Sequence, residues 1–163
     1  MSTTSRKMII GTSLTAASDE VVRTGIAIAR ATGASPWLVH GYMPPALPSQ
    51  LEGHLQGLHE ALAEQAQRTG LNRLPGFKVG QLVPLLDSPS RAIVELARQT
   101  RADLIVIGAA ESSALHHLIM GSTAAGVLSK APCSVLVLRS PVAWLQQETA
   151  QAPESPEEPR PSR

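Results

Sequence analysis

The sequence predicts an α/β fold: a five-stranded parallel sheet with helices on both of its faces. Three observations carry that expectation. Short apolar runs of strand length alternate along the chain with stretches of helical period, and such alternation produces layered α/β folds with right-handed crossovers. One run, Leu104-Ile105-Val106-Ile107-Gly108, is apolar at successive positions, as a strand buried on both faces must be. The length, 163 residues, corresponds to one domain at roughly 150 residues each.

The elements follow in order. Met8 to Thr12 is a short apolar run closing on Gly11-Thr12-Ser13, the first strand. Ser18 precedes Asp19 and Glu20, an acidic first turn that complements a helix dipole. Val21, Val22, Ile26, Ala29 and Ala31 then keep near-helical spacing, and Gly33 suits the left-handed C-cap. Pro36 to Tyr42 is the second strand. Met43 to Pro48 is a proline-rich loop. From Ser49 or Gln50 to about Gly70 a long helical pattern places Leu51, Leu55, Leu58, Leu62 and Ala66 on one face, with Gly53 and Gly57 weakening its first half. Phe77 to Leu86 is the third strand, and Pro84 within it points to a sheet edge. Ser88-Pro89 starts a helix, with serine as cap and proline in the first helical position. That helix runs to about Thr100. After the Leu104–Gly108 strand comes a polar loop, then a helix from about Gly121 to Lys130 that Pro132 helps to end. Ser134 to Leu138 is the fifth strand.

Three segments emerge: a polar start at 1–6, a folded domain at 7–141, and a tail at 142–163 rich in proline and glutamate that has too little apolar surface for a core. The chain is 43% apolar and 17% charged, with 14 basic and 13 acidic residues. So even a balance excludes a strongly basic nucleic-acid binder and gives no attraction to anionic lipid. Its four aromatic residues, Trp37, Tyr42, Phe77 and Trp144, cannot build a base-stacking platform. The single cysteine, Cys133, excludes an internal disulfide and a multi-cysteine zinc site. Met8-Ile9-Ile10 is too short for a signal peptide or a membrane span, so the expectation is a cytoplasmic protein.

Open parallel sheets bind ligands at the carboxyl ends of their strands, where strand order reverses. Those ends carry Gly11-Thr12-Ser13, His40-Gly41-Tyr42, Asp87-Ser88 and Gly108 onward. Gly121-Ser122-Thr123 opens a helix, where free amides and hydroxyls favour an anion. The plain alternative is that Ser122 only caps that helix.

Several segments resemble the universal stress protein family in order and spacing: the first strand with its small polar turn, Leu38-Val39-His40, the run Ala102-Asp103-Leu104-Ile105-Val106-Ile107-Gly108, Gly121-Ser122, and Ala131-Pro132-Cys133-Ser134-Val135-Leu136-Val137. The resemblance spans about Lys7 to Arg139. It implies a Rossmann-like sheet of strand order 3-2-1-4-5 and a homodimer paired through the last strand, Val135, Leu136, Val137 and Leu138. That strand would otherwise be an exposed apolar edge. Nucleotide-binding members carry glycine, two residues, glycine, nine residues, then Gly-Ser or Gly-Thr. Here the spacing is kept from Gly108 to Gly121-Ser122, but Glu111 stands at the second glycine. A side chain there blocks close approach of phosphate to the backbone. Its charge repels a phosphate about 4 Å away by roughly 1 to 4 kcal/mol per unit charge. No Lys or Arg between Gly108 and Gly121 offsets it. Ser13 stands where the family often has an aspartate beside the adenine, and Thr15 where it usually has serine.

Other residues carry simpler readings. His116-His117 is a loop pair of imidazoles, which attract phosphate weakly when charged, and the sequence places no third metal ligand beside them. His54 and His59 lie five apart, off the spacing that puts two ligands on one helix face. His40 is a packing histidine at a strand end. Cys133 is a small core residue with no base beside it. There is no P-loop, no catalytic carboxylate pair and no Gly-x-Ser-x-Gly elbow.

The expectation is therefore a non-catalytic stress-response or signalling homodimer. Its cleft at Thr12, Ser13, Gly41, Gly108, Gly121, Ser122 and Thr123 descends from a nucleotide site and holds ATP or AMP weakly, a smaller anion, or nothing. The rival is an ATP- or AMP-binding member that slowly hydrolyses ATP. A third reading, a module for a protein partner, rests on the tail and the Pro44-Pro45 loop. No metal, nucleic acid or membrane is expected.

Overall fold

The sheet is built from β1 (Lys7–Gly11), β2 (Ser35–Tyr42), β3 (Lys78–Pro84), β4 (Leu104–Gly108) and β5 (Ser134–Leu138), all parallel, in the order β3-β2-β1-β4-β5. The computed structural model describes residues 6–42, 44–84, 88–109 and 120–139, and for 79–84 the backbone alone. The reversal of strand order falls between β1 and β4, so their carboxyl ends, Gly11 and Gly108, flank a crevice.

Period-two alternation sorts the strand residues into two layers. Met8, Ile10, Leu38 and Val106 face α1 (Ser18–Thr32) and α2 (Leu51–Thr69). Ile9, Val39, Ile105 and Ile107 face α3 (Pro89–Thr100) and α4 (Ser122–Lys130). Burial of each such aliphatic side chain stabilises the fold by about 1.5–3 kcal/mol. At the far end of the central strands, the Lys7 amide donates to Asp103 Oδ2 at 2.8 Å and the Asp103 amide to the Lys7 carbonyl at 2.9 Å. Asp103 thus extends the β1–β4 pairing and is a structural residue.

Local signals explain the element ends. Gly33 and Gly70 take φ of 68° and 79° after α1 and α2. Ser88 caps α3, its hydroxyl accepting from the Arg91 amide at 3.3 Å, with Pro89 in the first helical position. Pro84 ends the edge strand β3, in register with Tyr42, and an edge strand is where a residue without an N–H is tolerated. Leu85, Leu86, Asp87, Glu111, His116, His117 and everything after Arg139 fall outside the described residues.

Two expectations change. The apolar stripe of α2 is fully buried only at Leu62 and Ala66, in the second half of the helix; Leu51, Leu55 and Leu58 are only partly buried. Ser122 does not cap α4. Gly121 holds the cap position with extended backbone (φ −58°, ψ 153°), and among the described residues no side chain caps the first turn. Among the described residues no helix is long and apolar enough to cross a membrane.

Candidate functional site

At the carboxyl ends of β1, β2, β4 and β5 lies a cavity of about 420 Å³, within the range of about 300–1,000 Å³ that holds small ligands. Thr12, Ser13, Gly41, Gly108, Gly121, Ser122 and Thr123, all seven residues singled out in the sequence, line it. They meet because each ends a strand or begins a helix on the same side of the sheet.

The wall at α4 has the character of an anion acceptor. Two bonds draw the strand ends and the helix together: the Ala109 amide donates to the Leu138 carbonyl at 2.7 Å, and the Gly121 amide to the Ala109 carbonyl at 2.8 Å. The first intrahelical bond runs from the Ala125 amide to the Gly121 carbonyl. The amides before it, on Ser122, Thr123 and Ala124, are those a helix cannot satisfy itself. The first turn of α4 holds no acidic residue, and Ser122, Thr123 and Ala124 all line the cavity.

Apolar side chains also line the cavity: Val39, Ile93 and Ile107, each nearly fully buried and in the layer of α3 and α4. Gly11 forms the floor. A Cβ there would stand 2.8 Å from Ile107 Cγ2, so a side chain would crowd the floor. Two opposite charges stand at the rim, Glu20 and Arg139. Glu20 is engaged with Arg23 at 3.7 Å, an exposed pair. Arg139, one residue past β5, supplies the cation that the loop sequence lacks. Nothing in the local sequence connects it with the site, since only the sheet order brings it there.

The β1–α1 turn forms the third wall, and its polar groups are satisfied from behind. Thr12 Oγ1 donates to Gln65 Oε1 at 2.8 Å, so this hydroxyl is turned away from a ligand. Gln65, only 1% exposed, donates from Nε2 to Ser18 Oγ (3.0 Å) and Asp19 Oδ1 (2.9 Å). Arg68 grips the same carboxylate in a two-point fork, Nε to Oδ2 at 2.8 Å and Nη2 to Oδ1 at 2.9 Å. Asp19, expected only to complement the helix dipole, is therefore a buried tether between α1 and α2. Ser13 Oγ lies 3.0 Å from Thr15 Oγ1, two small hydroxyls closing the turn. His40 both packs and lines the cavity. The Thr12 carbonyl can only accept, so His40 Nδ1 donates to it at 2.9 Å, and a neutral ring presents Nε2 as an acceptor.

The Arg68 hydrogen bonds hold the Asp19 carboxyl below its ordinary value, against the opposing effect of burial. A carboxyl lowered in the folded state stabilises the fold above its unfolded pKa of about 3.9, and that stabilisation is lost as pH falls through the folded value. Asp19→Asn should therefore cost about 2 kcal/mol at pH 7. It should also flatten the loss of stability below about pH 4. Urea unfolding at a series of pH values reads both, and an unchanged acid limb contradicts the tether.

Burial, and then the Asp103 charge, push the Cys133 thiol up, so the nucleophilic thiolate is disfavoured. Cys133 packs against the α3–α4 layer, as a core residue does. Among the described residues no group of three His, Cys, Asp or Glu is placed to hold a metal ion.

Comparison with known proteins agrees with this architecture. The Universal stress protein family model matches residues 4–139. A universal stress protein of Thermus aquaticus is 32% identical over 118 residues, which make up 68% of this chain and 82% of that protein. One of Methanocaldococcus jannaschii is 29% identical over 143 residues, covering 83% of each. Among solved structures, a universal stress protein in complex with cAMP superposes with a TM-score of 0.67 at 22% identity, covering 83% of this chain and 97% of that one. The Archaeoglobus fulgidus universal stress protein in complex with dAMP gives 0.57 at 20% identity, covering 82% and 96%. These last two are likenesses of fold. The chain belongs to the universal stress protein family.

Proposed function

We propose that this chain is a non-catalytic, ligand-responsive universal stress protein. Its cleft takes an adenine nucleoside monophosphate in preference to ATP, and it pairs with a second copy through β5. The observation that carries the ligand reading is the uncapped start of α4, with Ser122, Thr123 and Ala124 lining one side of the cavity and no acid in the first turn. A single phosphate there meets free amides and the positive end of a helix. Val39, Ile93 and Ile107 offer an apolar bed for a base. Arg139 stands at the rim to meet the remaining charge. The cAMP and dAMP held by the two structural relatives, each with one phosphate, support the ligand class.

The preference against ATP follows from the sequence. Glu111 replaces the glycine that lets a longer phosphate chain lie along the backbone, and Ser13 replaces the charged partner of the adenine. The absence of a recognisable base or nucleophile in the sequence motifs, with the Cys133 thiol pushed up, supports a binding rather than a hydrolytic role. Titration calorimetry with AMP and with ATP tests the reading, with phosphate release measured in magnesium. The expected result is AMP binding at least about tenfold tighter than ATP, a gap of about 1.4 kcal/mol, and no phosphate release. Tighter binding of ATP, or its turnover, overturns it.

The pairing rests on β5 as a sheet edge. Val135, Leu136, Val137 and Leu138 are half-exposed there, and an uncovered apolar edge invites a second strand. Light scattering of the full chain should give the mass of two copies; a monomer at micromolar concentration contradicts the pairing.

A further inference from the structure

We propose that Gln65 and Arg68, on α2 behind the cavity, are positioning residues that hold the β1–α1 wall in its ligand-ready shape. The inference rests on reading the cavity as the ligand site, and it assigns to α2 control over that site.

An ionised Asp19 only accepts, so Gln65 must turn Nε2 toward it and not Oε1. The second Nε2 hydrogen then goes to Ser18 Oγ. Ser18 in turn donates its own hydrogen to the Thr15 carbonyl at 2.7 Å. Gln65 Oε1 is left to accept the Thr12 hydroxyl hydrogen. Thr12 Oγ1, its hydrogen directed to Gln65, accepts the Leu14 amide at 3.0 Å through a lone pair. That last bond supports Leu14 at φ 62°, a left-handed conformation that a branched residue without glycine's freedom adopts only when held. Thr12 is also fixed through its amide, donated to the Val39 carbonyl at 2.9 Å, and its carbonyl, which accepts from His40.

The arrangement thus passes the polarity of one buried carboxylate through an amide to the cavity wall. Arg68 fixes the carboxylate, and Gln65 transmits its orientation. Without Gln65 the Thr12 hydroxyl hydrogen loses its acceptor on α2 and can swing to Ser18 Oγ, 2.9 Å away; without Arg68 the carboxylate that orients Gln65 is loose, and in both cases the Thr12 oxygen that accepts the Leu14 amide is held less firmly. No residue of α2 lines the cavity, so any effect of these two on a ligand passes through the turn.

Hydrogen exchange on the full chain tests this without a ligand. The variants are Gln65→Leu, Arg68→Ala and the milder Arg68→Lys, with Gln67→Ala as a control on the exposed side of α2. In Gln65→Leu and Arg68→Ala, exchange at Leu14 and Ser18 should speed by at least about tenfold, while Ile105 and Val106 in β4 keep their protection. Arg68→Lys should fall between, since it keeps the charge but loses the fork, and Gln67→Ala should match the parent. The same proteins are titrated with AMP, where the first two should bind about tenfold more weakly. Unchanged exchange at Leu14, or a loss of protection shared equally by β4, overturns the proposal. If the parent shows no AMP binding, the ligand reading fails and exchange at Leu14 alone decides the positioning role. If Gln65→Leu and Arg68→Ala do not fold, Arg68→Lys decides it.

Discussion

Ser122→Asp is expected to weaken AMP binding by at least about tenfold while making the protein slightly more stable. Ser122 is exposed and occupies the first helical position of α4, whose first turn holds no acid. A carboxylate there complements the helix dipole and adds about 0.3–1 kcal/mol of stability. The same carboxylate faces the proposed phosphate. At about 4 Å, each pair of unit charges repels by roughly 1–4 kcal/mol between effective dielectrics of 80 and 20. The larger effect falls on binding, and its sign is opposite to that on stability. Damage to the fold would lower both quantities, so calorimetry and thermal unfolding on one variant separate the two cases. Undiminished AMP affinity in Ser122→Asp would place the phosphate elsewhere.

The largest loss of stability from a single substitution is expected at Gly25. This residue sits in α1 against β1, and a Cβ on it would stand 2.5 Å from Ile10 Cδ1 and 2.9 Å from Ile10 Cγ1. Ile10 is fully buried and packed among Val22, Ile26 and Val106, so it has no space into which to retreat. Helix propensity alone would favour replacing glycine, by up to about 1 kcal/mol. Overpacking opposes it and costs about 1–3 kcal/mol, more for a large side chain. Gly25→Leu should therefore lose about 3 kcal/mol, a fall in Tm of about 10 °C for a domain of this size. Adding Ile10→Val should recover part of that loss, because the closest of the two clashes, 2.5 Å, is with the δ carbon that valine lacks. Absence of any recovery would mean that the strain lies in the backbone of α1.

The parallel α/β class was legible because its signals are local. Leu104 to Gly108 is apolar on successive residues, and Ser88-Pro89 marks a helix start in two letters. The cavity was legible for a similar reason: strand ends can be located from apolar runs, and ligands gather at those ends. What escaped the sequence is what only tertiary contact creates. Asp19 and Arg68 lie 49 residues apart, and nothing in either neighbourhood announces the other. Gln65 looks like one of many polar residues on an amphipathic helix, yet it is buried because the carboxylate and two hydroxyls around it satisfy its amide. The plain alternative for Ser122 was the cap position, because serine is a strong cap former. The bond from the Gly121 amide to the Ala109 carbonyl fixes the glycine there instead, one residue earlier. Arg139 reaches the rim only because β5 lies beside β4 in the sheet.

The central claim is that a single phosphate binds at the uncapped start of α4, with a base against Val39, Ile93 and Ile107. An amide chemical-shift titration of the full chain with AMP, repeated with ATP, tests it most directly. The prediction is that the Gly108, Gly121, Ser122 and Thr123 resonances move together and saturate with AMP at lower concentration than with ATP. Stationary resonances at the start of α4 while AMP shifts others, or saturation of the same four by ATP at equal or lower concentration, would contradict it.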